Sequence, residues 1–334
     1  MSHDYDRLTP DTVLNAIDSI LGPQGSLTSG HQMALNSYEN RVYQIGIEQE
    51  DDEQVTQIIA KFYRPKRWSD ATILQEHNFA LEAMVDDIPV IGPMVINDKT
   101  LFEFEGFRFA LFPRQGGRSG QIEDLADFEQ MGRLLGRLHQ TANCVPSDAR
   151  PDMTPVTFAQ NSRRYLLEND FIEPDLIPAY ESVSLDLYNI LQERWDNLQP
   201  SLKLVHGDIH AGNLIWHQQQ PYMLDLDDCV LAPRIQDIWM LLHGERDQMQ
   251  AQLAAIAKGY ELFLPFPTSE LPLIEVLRSM RLMHYSAWLA KRWEDPAFKM
   301  AFPWFNSARY WSEQILNLRE QLSALQEPQL QLID

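Results

Sequence analysis

Apolar residues follow two periods along this chain. From Thr9 to Leu21 they fall on one helical face, with Thr9 placed to cap and Pro10 at the first helical position. After Gly22-Pro23 the period shortens to two. Ser26–Leu35, Arg41–Ile47 and Gln54–Tyr63 read as three antiparallel strands, joined by the turn Asn36–Asn40 and a solvated acidic tip, Glu48–Glu53. Ser69 or Asp70 can cap a helix running through Val85, on which Ile73, Glu76, Ala80 and Ala83 share one face. A kinked connection, Pro89 to Pro93, leads to strands at Met94–Ile96, Leu101–Glu105 and Phe107–Phe112. Gly116–Gly120 lacks the GxxxxGK[ST] spacing of a phosphate loop and reads as a linker. Helical periodicity dominates afterwards: Ile122–Thr141, Phe158–Glu168, Tyr180–Leu198 (burying Tyr188, Leu191 and Trp195), a helix beginning at Pro233, Met249–Phe263, Ile274–Trp293, and a last helix closing near Leu325. Strands first and helices afterwards predict an α+β fold, a small antiparallel sheet lobe followed by a larger, mainly helical one.

A length of 334 residues accommodates one large or two smaller domains. The net charge of −21 argues against a general nucleic-acid or anionic-membrane binder, since both need Lys/Arg patches. No run approaches the ~18 apolar residues of a membrane span. The start, MSHDYDRLTPD, has neither the basic nor the apolar region of a secretory signal. The only cysteines, Cys144 and Cys229, form no CxxC pattern, which suits a reducing compartment. A soluble, cytoplasmic, monomeric protein without nucleic-acid or membrane partners is expected.

Candidate chemistry concentrates in Leu204–Asp228, LVHGDIHAGNLIWHQQQPYMLDLDD. Asp208 and Asn213 follow one apolar run, and Asp225 ends a second. Asp208 could accept a proton from a substrate hydroxyl. Asn213 and Asp225 could offer neutral and anionic oxygens to Mg²⁺ shared with nucleotide phosphates. Lys61 lies in an otherwise apolar strand, where burial demands a partner, and Glu76 sits among inward positions of the next helix. Each also has a plainer reading: an outward Lys on a half-exposed strand, and a surface Glu at the edge of its stripe.

His206-Gly207-Asp208 with Asn213, followed by Leu224-Asp225, resembles the aminoglycoside phosphotransferase and choline kinase superfamily. The segments Asn36–Tyr43, Lys61–Pro65, Val230–Leu242 and Leu325–Pro328 resemble the bacterial stress-response kinase A family, described as ATP- and Mg²⁺-dependent serine/threonine protein kinases. The resemblance implies a bilobal protein-kinase-like fold, with residues 1–113 as a nucleotide-binding lobe, 114–120 as hinge and linker, and 121–334 as the catalytic and substrate lobe. It also implies roles for individual residues. Asp208 and Asp225 would be catalytic, and Asn213 and Asp225 would hold Mg²⁺. Lys61, paired with Glu76, would fix the α- and β-phosphates of ATP. Ser37 would reach phosphate from a turn without glycines, and the strand ending at Phe112 would offer its backbone to adenine. Asp237 would brace the catalytic loop, and His139 would be a buried structural residue.

The implied acceptors are Ser/Thr hydroxyls of proteins, the enzyme itself included. Two other readings stay open. A small-molecule kinase acting on an aminoglycoside, choline or homoserine-like alcohol would use the same residues, with Trp288, Trp293, Trp304 and Trp311 as a cation cage or as core packing. A non-catalytic nucleotide-binding regulator would be expected to have lost one of them. Arg281, His284, Trp288, Arg292 and Trp293 could shape a polar-aromatic substrate wall, or divide into core aromatics and surface arginines.

Overall fold

A computed structural model describes residues 5–49, 52–120 and 122–332. In chain order the elements are α1 (Pro10–Leu21), β1 (Ser26–Ala34), β2 (Arg41–Gln49), β3 (Asp52–Phe62), α2 (Asp70–Val85), β4 (Phe102–Phe104), β5 (Phe107–Pro113), β6 (Arg118–Ser119), α3 (Leu125–Thr141), α4 (Asn161–Glu168), α5 (Ile177–Leu198), β7 (Lys203–Val205), β8 (Leu214–His217), β9 (Gln220–Met223), β10 (Val230–Ala232), α6 (Ile235–Trp239), α7 (Arg246–Tyr260), α8 (Ile274–Lys291), α9 (Pro296–Ala301) and α10 (Ala308–Ala324). The fold is α+β. The chain packs as two units: Met1–Gln121 with Val145–Ala149 and Ala211–Asp227, and Ile122–Cys144 with Arg150–His210 and Asp228–Asp334.

The first unit is built on a five-stranded antiparallel sheet in the order β1-β2-β3-β5-β4. Alternation decides what each face of β3 carries. Ile58, Ala60 and Phe62 join a core with Val13, Ala16 and Ile17 of α1. Tyr63 instead packs with Ile73 of α2 and Ala110, and Lys61 also meets α2, through Glu76. Thr9 caps α1 as expected, accepting from the Thr12 amide, and Ser69 rather than Asp70 caps α2. Of the expected acidic tip, Glu50 and Asp51 lie outside the described residues, while β2 and β3 extend to Gln49 and Asp52 on either side. Met94–Ile96 is not a strand: Ile96 pairs only with Lys99 around Asn97 and Asp98, both in the left-handed region. The expected linker carries β6, whose Arg118 and Ser119 pair with Trp216 and Ile215 in a three-stranded sheet with β8 and β9.

In the second unit α3 and α7 cross at backbone contact. A Cβ added at Gly132 would lie 2.0 Å from the Ile256 carbonyl oxygen, and one at Gly259 would lie 2.0 Å from that of Glu129. Glycine at these sites is what lets the two helices meet. Helix α5 starts earlier than expected, at Ile177 with Pro178 in its first turn, and its inward face differs from the one expected. Tyr180, Val183, Leu187 and Leu191 are buried, whereas Tyr188 and Trp195 are only half-buried. The helix expected from Phe158 begins as a π-turn, Pro155–Gln160, capped by Thr154. The helix expected from Pro233 is limited to α6. The short strands β7 and β10 pair antiparallel.

Candidate functional site

Strand alternation and one helix build a charged cluster in the first unit. Lys61, 5% exposed, donates from Nζ to Glu76 Oε1 at 3.0 Å and to Asp225 Oδ1 at 2.8 Å, with Asp227 Oδ1 at 3.8 Å. Burial opposes the ammonium charge, but the carboxylates of Asp225, Asp227 and Glu76 outweigh it and hold Lys61 well above its ordinary pKa. Glu76 is equally deep. Burial drives its carboxyl up from 4.5 to about 7, against the pull of Lys61. Beside this pair, His77 lies between Tyr63 Oη and Thr100 Oγ1, each at 2.7 Å, and burial lowers its pKa to about 3, so it is neutral.

The two acids of Leu224–Asp227 have different surroundings. Asp227 is 2% exposed, accepts from Asn40 Nδ2 at 3.0 Å, and is ion-paired with Arg67. Asp225 has a side chain 49% exposed and a left-handed backbone, φ 57°, which a non-glycine residue adopts at a cost. Asn213 ends a 3₁₀ turn after Gly212, and its carbonyl accepts from the Leu224 amide at 2.9 Å. The turn before β2 is fixed from its far end: Asn40 Oδ1 accepts from the Arg64 amide, and Glu39 pairs with Arg64 and Arg67. Ser37 lies half-buried within that turn, and Phe112 sits edge-on to the His77 ring. Thus Lys61, Glu76 and Asp225 are brought together by direct contacts.

Asp208 belongs to the second unit. Gly207 precedes it with φ 83°, and a Cβ there would lie 2.4 Å from the Asp228 carbonyl oxygen, so the loop requires glycine. Fully buried Asp237 accepts the His206 and Gly207 amides at 2.8 Å each and meets His139 Nε2 at 3.0 Å. A carboxylate can only accept, so His139 Nε2 carries a proton; its other nitrogen meets Tyr260 Oη at 2.9 Å. Gln236 donates to the Gly207 carbonyl at 3.0 Å. Asp208 thus emerges from a loop whose backbone is held at three points. Its carboxylate meets Arg281 Nη2 at 2.7 Å and His210 Nε2 at 3.4 Å. Burial would raise its pKa, but His210 and Arg281 outweigh that and hold the carboxyl well below the usual carboxylate range.

Asn40, Arg67 and His210 were not assigned to the site from sequence, whereas Arg281, expected in a substrate wall or on the surface, pairs with Asp208. Arg67 and Asn40 contact Asp227 across more than 150 residues of chain, and no local pattern signals such a pairing. The tryptophans offered as a cage or as core packing sit against Phe and Tyr rings, Trp304 at the surface against Phe302 and Tyr310. Trp311 is fully buried against Tyr180 and Phe305, Trp293 meets Phe305, and Trp288 lies against Phe298 and Phe302. Asn213 and Asp225 are oxygen donors, the kind Mg²⁺ takes. Among the described residues no group of three or more His, Cys, Asp or Glu is placed to hold a metal ion. This donor set fits a cation that draws most of its ligands from substrate phosphates and water.

An antiparallel sheet carrying a buried Lys–Glu pair, with an HGD loop braced in a helical unit, defines a kinase-type phosphotransferase. The model of the phosphotransferase enzyme family, APH, matches residues 32–271, and the chain belongs to that family. The chain is 40% identical over 328 residues to serine/threonine protein kinase RdoA of Salmonella typhimurium, covering 98% of this chain and 97% of that one. It is equally similar, over the same shares, to stress response kinase A of Escherichia coli strain K12. Among solved structures it is similar in fold to amicoumacin kinase hAmiN in complex with AMP-PNP, Ca²⁺ and Ami, with a TM-score of 0.72, 20% identity, and coverage of 99% of this chain and 96% of that one. No helix among the described residues is long and apolar enough to cross a membrane.

Proposed function

We propose that this chain transfers the γ-phosphoryl group of ATP, with Mg²⁺, to serine or threonine hydroxyls of proteins, its own included. The observation that carries this reading is 40% identity over 98% of the chain to a protein named a serine/threonine protein kinase. The reading places the protein in the cytoplasm, in the stress response that the relatives' names mention, acting as a monomer.

Asp208 orients the acceptor hydroxyl. The hydroxyl oxygen attacks the γ-phosphorus in line, the new O–P bond forms, the bond to the bridging oxygen of ADP breaks, and the proton passes to the Asp208 carboxylate. A carboxyl held this far below its usual range is a weak base. It serves mainly as an orienting acceptor and takes the proton late, when the loose transition state has made the oxygen acidic. Lys61, kept charged by its ring of acids, meets the α- and β-phosphates, and Glu76 keeps it aimed. Mg²⁺, when bound through Asn213 and Asp225, supplies positive charge against the phosphate oxygens. Ser37 and the backbone of its turn face phosphate, and the backbone of the strand ending at Phe112 faces adenine. Positioning and charge stabilisation supply most of the rate.

Incubation with radiolabelled ATP and a generic protein, beside panels of aminoglycosides, choline and homoserine, tests the reading. Label in protein Ser or Thr is expected, falling ~10²–10⁴-fold in Asp208→Ala. A mutant that keeps more than about a tenth of turnover removes Asp208 from its role. Rapid phosphorylation of one small alcohol with no label in protein overturns the acceptor assignment. Complete absence of ATP turnover favours a non-catalytic nucleotide-binding module.

A further inference from the structure

The chain carries a net charge of −21, yet from Val276 to Trp293 it holds Arg278, Arg281, Lys291 and Arg292 and no acid at all. Arg278 is committed to Glu275 at 2.8 Å and to the Trp239 ring. Arg281, Tyr285, Trp288 and Arg292 recur at offsets of 0, 4, 7 and 11, which places them along one side of α8 and its C-terminal cap. Arg281 is the end of this stripe that reaches Asp208, with its side chain 45% exposed. At the other end Arg292 donates to the Trp288 carbonyl at 3.1 Å and lies 5.2 Å from the centre of its ring. We propose that this stripe reads an acidic segment of the protein acceptor, with Arg281 taking an acid beside the phosphorylated hydroxyl and Arg292 one farther along. The inference rests on the protein-kinase reading above.

Eleven residues of helix span about 16 Å at ~1.5 Å per residue, the length of about five residues of extended peptide. An acceptor whose hydroxyl meets Asp208 would therefore present a neighbouring side chain to Arg281 and one about five residues away to Arg292. Both guanidinium forks suit carboxylate or phosphate oxygens. A cationic acceptor is disfavoured at the same place, because its ammonium would lie beside Arg281 and His210. The aromatic surface does not favour one either: Tyr285 stacks on Trp288 at 5.7 Å, and Arg292 already supplies a cation to the Trp288 ring. An acceptor acid would also draw Arg281 away from Asp208 and leave that carboxylate to the hydroxyl.

The experiment compares three peptides, each with one serine, flanked by Glu, by Lys or by Gln, as substrates of the full chain with labelled ATP. Ratios of kcat/KM are taken within each variant, so that any general loss of turnover from altering a neighbour of Asp208 cancels. The Glu peptide is expected to exceed the Gln peptide by about tenfold. Arg281→Gln should bring that ratio close to one, and Arg281→Glu should turn the preference toward the Lys peptide. Arg292→Gln should reduce only the preference for an acid about five residues from the serine. Equal use of all three peptides by the unaltered chain overturns the inference and leaves the protein-kinase reading intact, and so does a ratio unchanged by Arg281→Gln. No label in any peptide, together with turnover of a small alcohol, overturns both.

Discussion

Removal of the Asp237 carboxylate tests how the Asp208 loop is held. Asp237 is fully buried and accepts three donors, the His206 and Gly207 amides at 2.8 Å and His139 Nε2 at 3.0 Å. Hydrogen bonds to a charged group contribute roughly 1.5–3 kcal/mol each, and a donor left buried without its partner costs a further desolvation penalty. Relief of the carboxylate's own burial offsets part of the sum. Asp237→Ala should therefore cost about 3–5 kcal/mol, the range for removing one partner from a buried charged set. Asp237→Asn should cost roughly 2–3 kcal/mol, since one amide oxygen can serve only part of the set and its NH₂ group opposes a donor. Urea unfolding followed by tryptophan fluorescence reads the effect as a shift of the transition by roughly 1–2 M, for a slope of ~2–3 kcal/mol/M. His139→Ala supplies a second edge. Its cost combined with Asp237→Ala should fall short of the sum by about 1–2 kcal/mol, because the two changes share one bond. A shift worth less than about 1 kcal/mol for Asp237→Ala, or strict additivity of the pair, refutes the bracing role.

Two further perturbations probe other parts of the molecule. Glu76 has a folded-state pKa of about 7 against an ordinary 4.5, so the fold favours its protonated form. The stability this contributes is complete below pH 4.5 and is lost as pH rises through 7. In thermal melts, Glu76→Gln minus the unaltered protein should therefore rise across that window and level off above it, and a flat difference contradicts the assignment. Gly132→Ala should lower stability by roughly 1–3 kcal/mol or more by forcing α3 and α7 apart, although alanine is the better helix former by ~1 kcal/mol. Gly116→Ala, with nothing within 4 Å of the added Cβ, is the matched control and should be near neutral.

The fold was legible wherever a residue's neighbours in sequence decide its environment. Thr9-Pro10 and Ser69 start helices because capping is a matter of a few adjacent residues. The three opening strands follow from the change to a period near two after Gly22-Pro23. Errors arose where packing against distant chain decides. Two residues, Arg118 and Ser119, become a strand only because Trp216 and Ile215 are there to pair with them. The inward face of α5 is set by what the helix packs against, which buries Tyr180, Val183, Leu187 and Leu191 and leaves Tyr188 and Trp195 half-buried. Asn97 and Asp98 take left-handed conformations that close a turn between Ile96 and Lys99, just after the Met94–Ile96 segment expected as a strand.

The site divides along the same line. A lysine in an apolar strand and a glutamate on an apolar face announce each other, because neither charge is tolerable buried alone. Their partner acids were harder to rank, since Leu224–Asp228 offers three carboxylates within four positions. Burial separates them. Three carboxylates near the single Lys61 ammonium leave an excess of negative charge, and a second cation is needed inside the cluster. Arg67 supplies it at Asp227, and Asn40 takes a further bond there. With those partners and only 2% exposure, Asp227 has neither the accessible oxygen nor the freedom to serve an incoming ligand. Asp225 shares Lys61, keeps half its side chain in solvent, and holds a left-handed backbone that aims it. Exposure therefore favours Asp225 over Asp227 for the ligand role proposed above, while the Asn40 bond ties Asp227 to the turn. That distinction depends on an arginine 160 residues away in sequence, beyond the reach of any motif.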